Sequence, residues 1–401
     1  MGSLKRSFLE AIAAAAMLLA LAADAAAVDT AEIKIGYLRR AEQMPAISLL
    51  DVAAPDAGLA GAELAIADNN TTGRFLNQKF SVTDVKLGPG EDPAAAVQRL
   101  GGEGISLVVT DLPADALLKA ADAGRARGML FFNAGAADDA LRGEDCRAGI
   151  VHIAPPRSML ADGLAQYLVW KQWLKWVLVS GSHPEDKLFA AALKRAATRF
   201  GAKIVEEKEF EDKGGARQTD SGLAEVQRQI PLFTQGLPDY DVLLAADENA
   251  VFAAYLPYRT KAARPVAGSA GLSPASWDPS MEQWGATQLQ NRFVKQFSRR
   301  MRPLDMQAWT AVRMIGEAVT RTKSAEARQV RDYILGASFE LAAFKGRALT
   351  VRSWDLQLRQ PILLSDGKNV VSISPQQGFL HPVSELDTLG YDKPETKCVL
   401  K

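Results

Sequence analysis

The chain is poor in the residues that metal and thiol chemistry need. Its 401 residues include two cysteines and three histidines. That is too few for a zinc or iron–sulfur site or for Cys–His catalysis, so no metal is expected. Charge of one sign is also missing: Lys+Arg 47 balances Asp+Glu 47. With no basic excess to release counterions from phosphate, nucleic acid is not an expected partner. There is no Gly-x-Ser-x-Gly elbow, no His-Glu-x-x-His, no Walker loop and no Gly-x-Gly-x-x-Gly after a strand. Gly101-Gly102-Glu103-Gly104 falls at the end of a helical pattern, where it cannot turn a helix N-terminus toward phosphate. The expectation is a protein that is not an enzyme and requires no cofactor. Beyond the N-terminus no run of 18 apolar residues occurs, which argues against a membrane span in the mature chain.

What is present begins with an export signal. Lys5 and Arg6 precede an Ala/Leu/Met-rich stretch from Ala11 to Ala23. At about a dozen residues it is shorter than the roughly 20 a bilayer demands. Ala23-Asp24-Ala25 and Ala25-Ala26-Ala27 offer small-x-small cleavage sites. The reading is a cleaved signal over residues 1–27, a periplasmic mature protein, and no lipid anchor, since no cysteine follows the apolar stretch. Export permits oxidation, so Cys146 and Cys398 form a possible disulfide, with two free thiols as the alternative.

The mature chain alternates strands and helices. Apolar strand patterns occur at residues 33–37, 80–85, 105–110, 129–132, 150–153, 176–180, 203–205, 241–245 and 266–268. Between them lie helical patterns: Leu59, Ala62 and Ile66; a helix opened by Asp92-Pro93; and Leu188, Ala192, Ala196 and Phe200 ended by Gly201. Such alternation means βαβ units, parallel sheets and helices on both faces. One sheet rarely holds so many strands, so two lobes are expected. A paired-strand stretch around Asp366-Gly367 follows a long helix.

The order of these elements resembles the branched-chain-amino-acid type of periplasmic ligand-binding protein, the exported component of ABC importers. "GAELAIADNNTTGRFLNQKF", "GEDPAAAVQRL", "WVLVSGSHPEDKLFAAALKRAATRFGAKIV" and "QAWTAVRMIGEAVTR" carry the likeness, which spans essentially the mature chain. It implies the type I periplasmic binding protein fold: two doubly wound parallel-sheet α/β lobes joined by crossover hinge strands, with ligand at the carboxyl ends of the strands. Lobe 1 is expected at residues 28–154 plus 287–345, lobe 2 at 155–286 plus 346–385, and a C-terminal tail at 386–401. The expected protein is a monomer that closes on a small molecule and docks on an ABC permease of the inner membrane. A ligand sensor for a membrane receptor is the alternative on the same fold.

Amino-acid binders of this type hold the ligand's carboxylate with hydroxyls and amides after strands three and four. Here those loops read Thr110-Asp111-Leu112-Pro113 and Asn133-Ala134-Gly135-Ala136-Ala137, with a hydroxyl only at Thr110. The acid that meets the ammonium group is replaced by Ala270, before Gly271. A narrower likeness, in "DLPADALLKAA", "AADEN" and "WGATQLQNRF", is to the subgroup associated with pyrroloquinoline-quinone (PQQ)-dependent alcohol dehydrogenases. It implies PQQ as candidate ligand, with delivery to such a dehydrogenase as one possible role; amino acids and organic acids are the alternatives. PQQ is planar and carries three carboxylates, so its site needs cations, preferably Arg, and a flat stacking partner. The candidates on the expected loops are Arg39, Arg40, Arg142 and Arg157 as cations, and Trp277 and Trp284 for stacking. Thr110, Asp111, Asn133, His183 and Asp247 complete the candidate contacts, with Glu248 beside Asp247 as a second acid after the strand that could orient the arginines.

Overall fold

The structure is a computed structural model that describes residues 30–40, 54–214 and 220–400. The export signal expected at residues 1–27 lies outside the described residues. The chain enters the first lobe through β1 (Ala31–Arg40), α1 (Leu59–Gly73), β2 (Gln78–Leu87) and α2 (Pro93–Gly102). Asp92 caps α2 by accepting the Ala94 N–H, and Pro93 occupies the first turn, where no N–H is needed. There follow β3 (Leu107–Asp111), α3 (Ala114–Gly124), β4 (Leu130–Asn133) and β5 (Ile150–His152). These strands form one parallel sheet in the order β2-β1-β3-β4-β5. Its residues alternate between two cores, as the period of a strand dictates. Ile35, Val109 and Phe132 face one, whereas Leu38, Val108 and Phe131 face the other.

The chain then crosses to the second lobe: α4 (Arg157–Trp170), β6 (Lys175–Gly181), α5 (Pro184–Phe200), β7 (Lys203–Phe210), α6 (Asp220–Phe233), β8 (Val242–Ala246) and β9 (Val266–Gly268). The parallel order is β7-β6-β8-β9, again reversing beside its first strand. Gly201 takes the left-handed conformation that ends α5. The buried face of α5 runs through Phe189, Ala192, Leu193 and Ala196, while Leu188 is 48% exposed. The sequence pattern placed Leu188 on the inner face; the helix is turned so that Phe189 goes inside instead.

A return crossing leads through β10 (Ser273–Ala275) to α7 (Ala286–Phe297), α8 (Pro303–Thr322) and α9 (Ala327–Ile334). Helix α8 packs on α1, and Val312, Ile315 and Val319 fill the first lobe's core. Two small antiparallel sheets finish the chain. One has β11 (Leu341–Ala342), β12 (Ala348–Val351) and β13 (Leu358–Arg359). The other sets β14 (Ile362–Ser365) between β10 and β15 (Val370–Ser374). Trp277, Met281, Leu349, Val351 and Leu358 all join the first lobe's core. The first lobe therefore takes in residues that the sequence reading gave to the second, because the crossover segments pack where they arrive. Among the described residues no helix is long and apolar enough to cross a membrane. Cys146 and Cys398 are joined in a disulfide.

Candidate ligand-binding cleft

In open α/β sheets, ligands gather beyond the carboxyl ends of the strands, where the strand order reverses. Those ends are Arg40, Asp111 and Asn133 in one lobe and Gly181 and Ala246 in the other. The first crossover brings Arg157, the first residue of α4, between them. Its guanidinium meets Glu248, just past β8, through Nε at 2.9 Å and Nη2 at 2.7 Å. Its Nη1 lies 3.3 Å from the carboxylate of Asp138, in the loop after β4. Arg157 thus links a carboxylate of each lobe. Nη1 is buried and makes no hydrogen bond. Burial pulls the Arg157 pKa down, but Glu248 and Asp138 more than offset it and hold it above its ordinary value. Burial raises Glu248, with Arg157 pulling the other way. Next to the bridge, Asp139 accepts the Ser158 N–H at 3.2 Å, satisfying the first turn of α4.

The loop that displays Asp138 is built by two other candidates. Asn133 is fully buried; its carbonyl oxygen accepts the N–H groups of Gly135 and Ala136, and its amide donates to the Ala136 carbonyl. Its amide also donates to His152 Nδ1 at 3.1 Å, which requires a neutral imidazole with its proton on Nε2. Arg142 donates to the carbonyls of Ala136, Asp138 and Ala154 and to Gln357. Burial lowers its pKa to about 10. Arg142 was a candidate ligand contact, but its donors go to three backbone carbonyls and the Gln357 side chain, with Asp139, Asp355 and Asp138 near it.

The remaining candidates divide similarly. Arg39 makes a bidentate pair with Asp84 at 2.9 Å and donates to the Pro55 carbonyl. Arg40 donates to the Glu91 carbonyl, and its Nε is buried without an acceptor. The Thr110 hydroxyl is fully buried and donates to the Phe132 carbonyl. Asp111 lies at the end of β3 against Gly135, on the cleft side. His183 caps α5 and holds Asp212 at 2.9 Å within the second lobe. Asp247 faces away from the cleft, accepting the N–H groups of Val251, Phe252 and Ala253. Trp277 corrects the sequence reading most sharply: it is fully buried in the first lobe's core, not presented for stacking. Trp284 is 51% exposed and lays its ring over Gly346, between β11 and β12.

Two groups, Asp138 and Lys345, were not among the candidates, and Glu248 was read only together with its neighbour Asp247. Asp138 and Glu248 complete the bridge. Lys345 is buried between β11 and β12 and donates to Gln360 on the last crossover, which donates to the Ile153 carbonyl of the first crossover. Burial alone pushes Lys345 down to about 7. A recess of about 460 Å³ lies elsewhere, between Ser280–Gln283 and the 368–373 hairpin. It has no part in the strand-end geometry.

Comparison with known proteins follows this geometry. Residues 51–228 match the family model described as periplasmic binding protein. Among curated proteins none matches the sequence. A periplasmic binding protein from Burkholderia mallei is 17% identical, with 92% of this chain and 99% of that one covered at a TM-score of 0.66. A branched-chain amino acid ABC transporter periplasmic ligand-binding protein from Burkholderia xenovorans LB400 is 17% identical, covering 90% and 94% at 0.67. An R. palustris ABC-transporter solute binding protein in complex with benzoate is 12% identical, covering 92% and 100% at 0.65. The fold is that of the type I periplasmic binding proteins. Within a type I fold the Asp138–Arg157–Glu248 bridge sits where the two lobes face each other.

His152 gives the stability of the fold a pH dependence. Burial, and then the nearby Arg142 charge, hold it well below its ordinary 6.5. The unfolded chain takes up this proton as pH falls through 6.5 and the folded chain does not, so stability drops on the acid side. His152→Gln should remove that part of the drop, up to about 2 kcal/mol between pH 7 and 5. Urea unfolding of both proteins at the two pH values measures it; equal drops would rule it out.

Proposed function

We propose that the chain is an exported, periplasmic substrate-binding protein of an ABC importer, without catalytic activity, whose lobes close on a small ligand at Arg157. The carrying observation is that guanidinium: it joins Asp138 of one lobe to Glu248 of the other and keeps a buried N–H without a hydrogen bond. A ligand carboxylate that takes Nη1 gains a charged contact and displaces Asp138. Ligand contacts to both lobes then shift the population toward the closed form.

Our reading of the ligand is a small anionic aromatic molecule, with PQQ as the specific candidate, bound for an ABC permease or for delivery to a PQQ-dependent alcohol dehydrogenase. The subgroup resemblance in residues 111–121, 245–249 and 284–293 supports it. So do fold neighbours in complex with benzoate and with 3,4-dihydroxy benzoic acid. A second reading, an amino acid, is favoured by two carboxylates facing one guanidinium, which suits a ligand bearing an ammonium group; other neighbours hold Leu and Isoleucine.

Fluorescence titration of wild type and Arg157→Ala with PQQ, benzoate and leucine tests both. The expected result is saturation by PQQ, weakened in the variant by about 1–3 kcal/mol, as when a charged hydrogen bond is lost. Saturation by leucine alone would select the second reading. Equal affinity in both proteins would remove Arg157 from the site.

A further inference from the structure

The C-terminal segment touches both lobes. Glu385 pairs with Arg347 at 2.6 Å, and Asp387 with Arg352 at 2.9 Å and Arg359 at 2.8 Å. These arginines lie on or beside β12 and β13, whose apolar residues belong to the first lobe's core. Leu389 is then buried in the second lobe's core. Gly390 donates its N–H to Asp162 of α4 at 2.8 Å, and its carbonyl accepts from Arg195 and Arg199 of α5. Asp162 is itself fully buried between those two arginines. The Arg195 guanidinium lies 4.0 Å from the ring centroid of Tyr391 and pairs with Glu395 at 3.3 Å. Finally Cys398 is joined to Cys146, 252 residues earlier.

Cys146 is anchored in the first lobe. Its neighbour Arg147 pairs with Asp122 of α3, and the Ala148 carbonyl accepts from Arg331 of α9. The segment therefore runs from the first lobe's small sheet, across the second lobe, and back to the first lobe through a covalent bond. It crosses beside the first turn of α4, where Gly390 abuts Met159 and Ser158, the neighbours of Arg157.

We propose that residues 385–398, locked by the Cys146–Cys398 disulfide, form a fourth connection between the lobes that limits how far the cleft opens. Peptide crossovers bend by φ/ψ changes concentrated at a few residues, which is how hinged lobes separate. A segment docked by buried ion pairs on one lobe and bonded to the other must stretch or undock when they part. Its docking on this site resists undocking, because leaving takes the Gly390 N–H from the buried Asp162 carboxylate and the Gly390 carbonyl from Arg195 and Arg199.

The test needs no ligand, so its outcome is separate from that of the PQQ titration. Noncanonical amino acids carrying a dye pair replace Asp115 and Leu188, exposed residues near the starts of α3 and α5 on opposite lobes. Energy transfer then reports the lobe-to-lobe distance in the otherwise native protein and in Cys146→Ser combined with Cys398→Ser. The expected result is a longer mean distance in the double variant, with faster hydrogen exchange over residues 391–398. An unchanged distance would overturn the proposal, even if exchange rose. Should the variant not fold, the labelled native protein is treated with dithiothreitol and both thiols are counted by alkylation. The same two outcomes then apply.

Discussion

Trp277→Ala should lower the free energy of unfolding by about 3–5 kcal/mol, the usual cost of removing a buried aromatic side chain. Trp277 is fully buried beside the first lobe's core residues and belongs to no cleft wall. Its indole N–H is buried without an acceptor. Trp277→Phe removes that unsatisfied donor and keeps most of the volume, so its cost should stay below about 1.5 kcal/mol. Urea unfolding of both variants checks the pair. Ligand affinity in Trp277→Phe should match wild type. A stable alanine variant with lost binding would return Trp277 to the site.

Asp305→Ala should cost a similar amount, about 3–5 kcal/mol, because it strands a buried charge network. Asp305 is fully buried at the start of α8. It accepts the Gly58 N–H at 2.8 Å and the Arg302 N–H at 2.9 Å, so one carboxylate satisfies the starts of α1 and α8. Arg299 grips both of its oxygens, at 2.7 and 2.8 Å, and also Asp56 at 2.9 Å. Asp305→Asn keeps an acceptor for one helix start and should lose less. Thermal or urea unfolding decides; a loss under about 1 kcal/mol would place the network among exposed pairs of little worth.

The lobes were legible in the sequence because alternating strand and helix patterns state them directly. Residues 105–110 read as a strand buried on both faces; the strand runs from Leu107 to Asp111, and residues 107–110 are buried on both faces. Arg157 was legible for a related reason: it starts the helix after the first crossover, a position fixed by the βαβ order. Glu248 was harder to single out beside Asp247. Adjacent acids after a strand look equivalent, yet one turns inward to three backbone N–H groups and the other reaches the guanidinium. Arg142 read as a ligand cation because its acceptors are carbonyl oxygens, which leave no mark in a sequence. Trp277 read as a loop residue after Ser273-Pro274-Ala275-Ser276. Residues 273–275 instead pair with β14, and the chain leaving that strand carries the indole into the first lobe's core.

The most direct measurement is a crystal structure of the protein grown with PQQ. The account predicts the quinone between the lobes, with a carboxylate oxygen about 2.7–2.9 Å from the Arg157 guanidinium and Asp138 displaced from it. PQQ bound elsewhere, such as between Ser280–Gln283 and β15, or a ligand-bound cleft with the Asp138–Arg157–Glu248 bridge untouched, would contradict it.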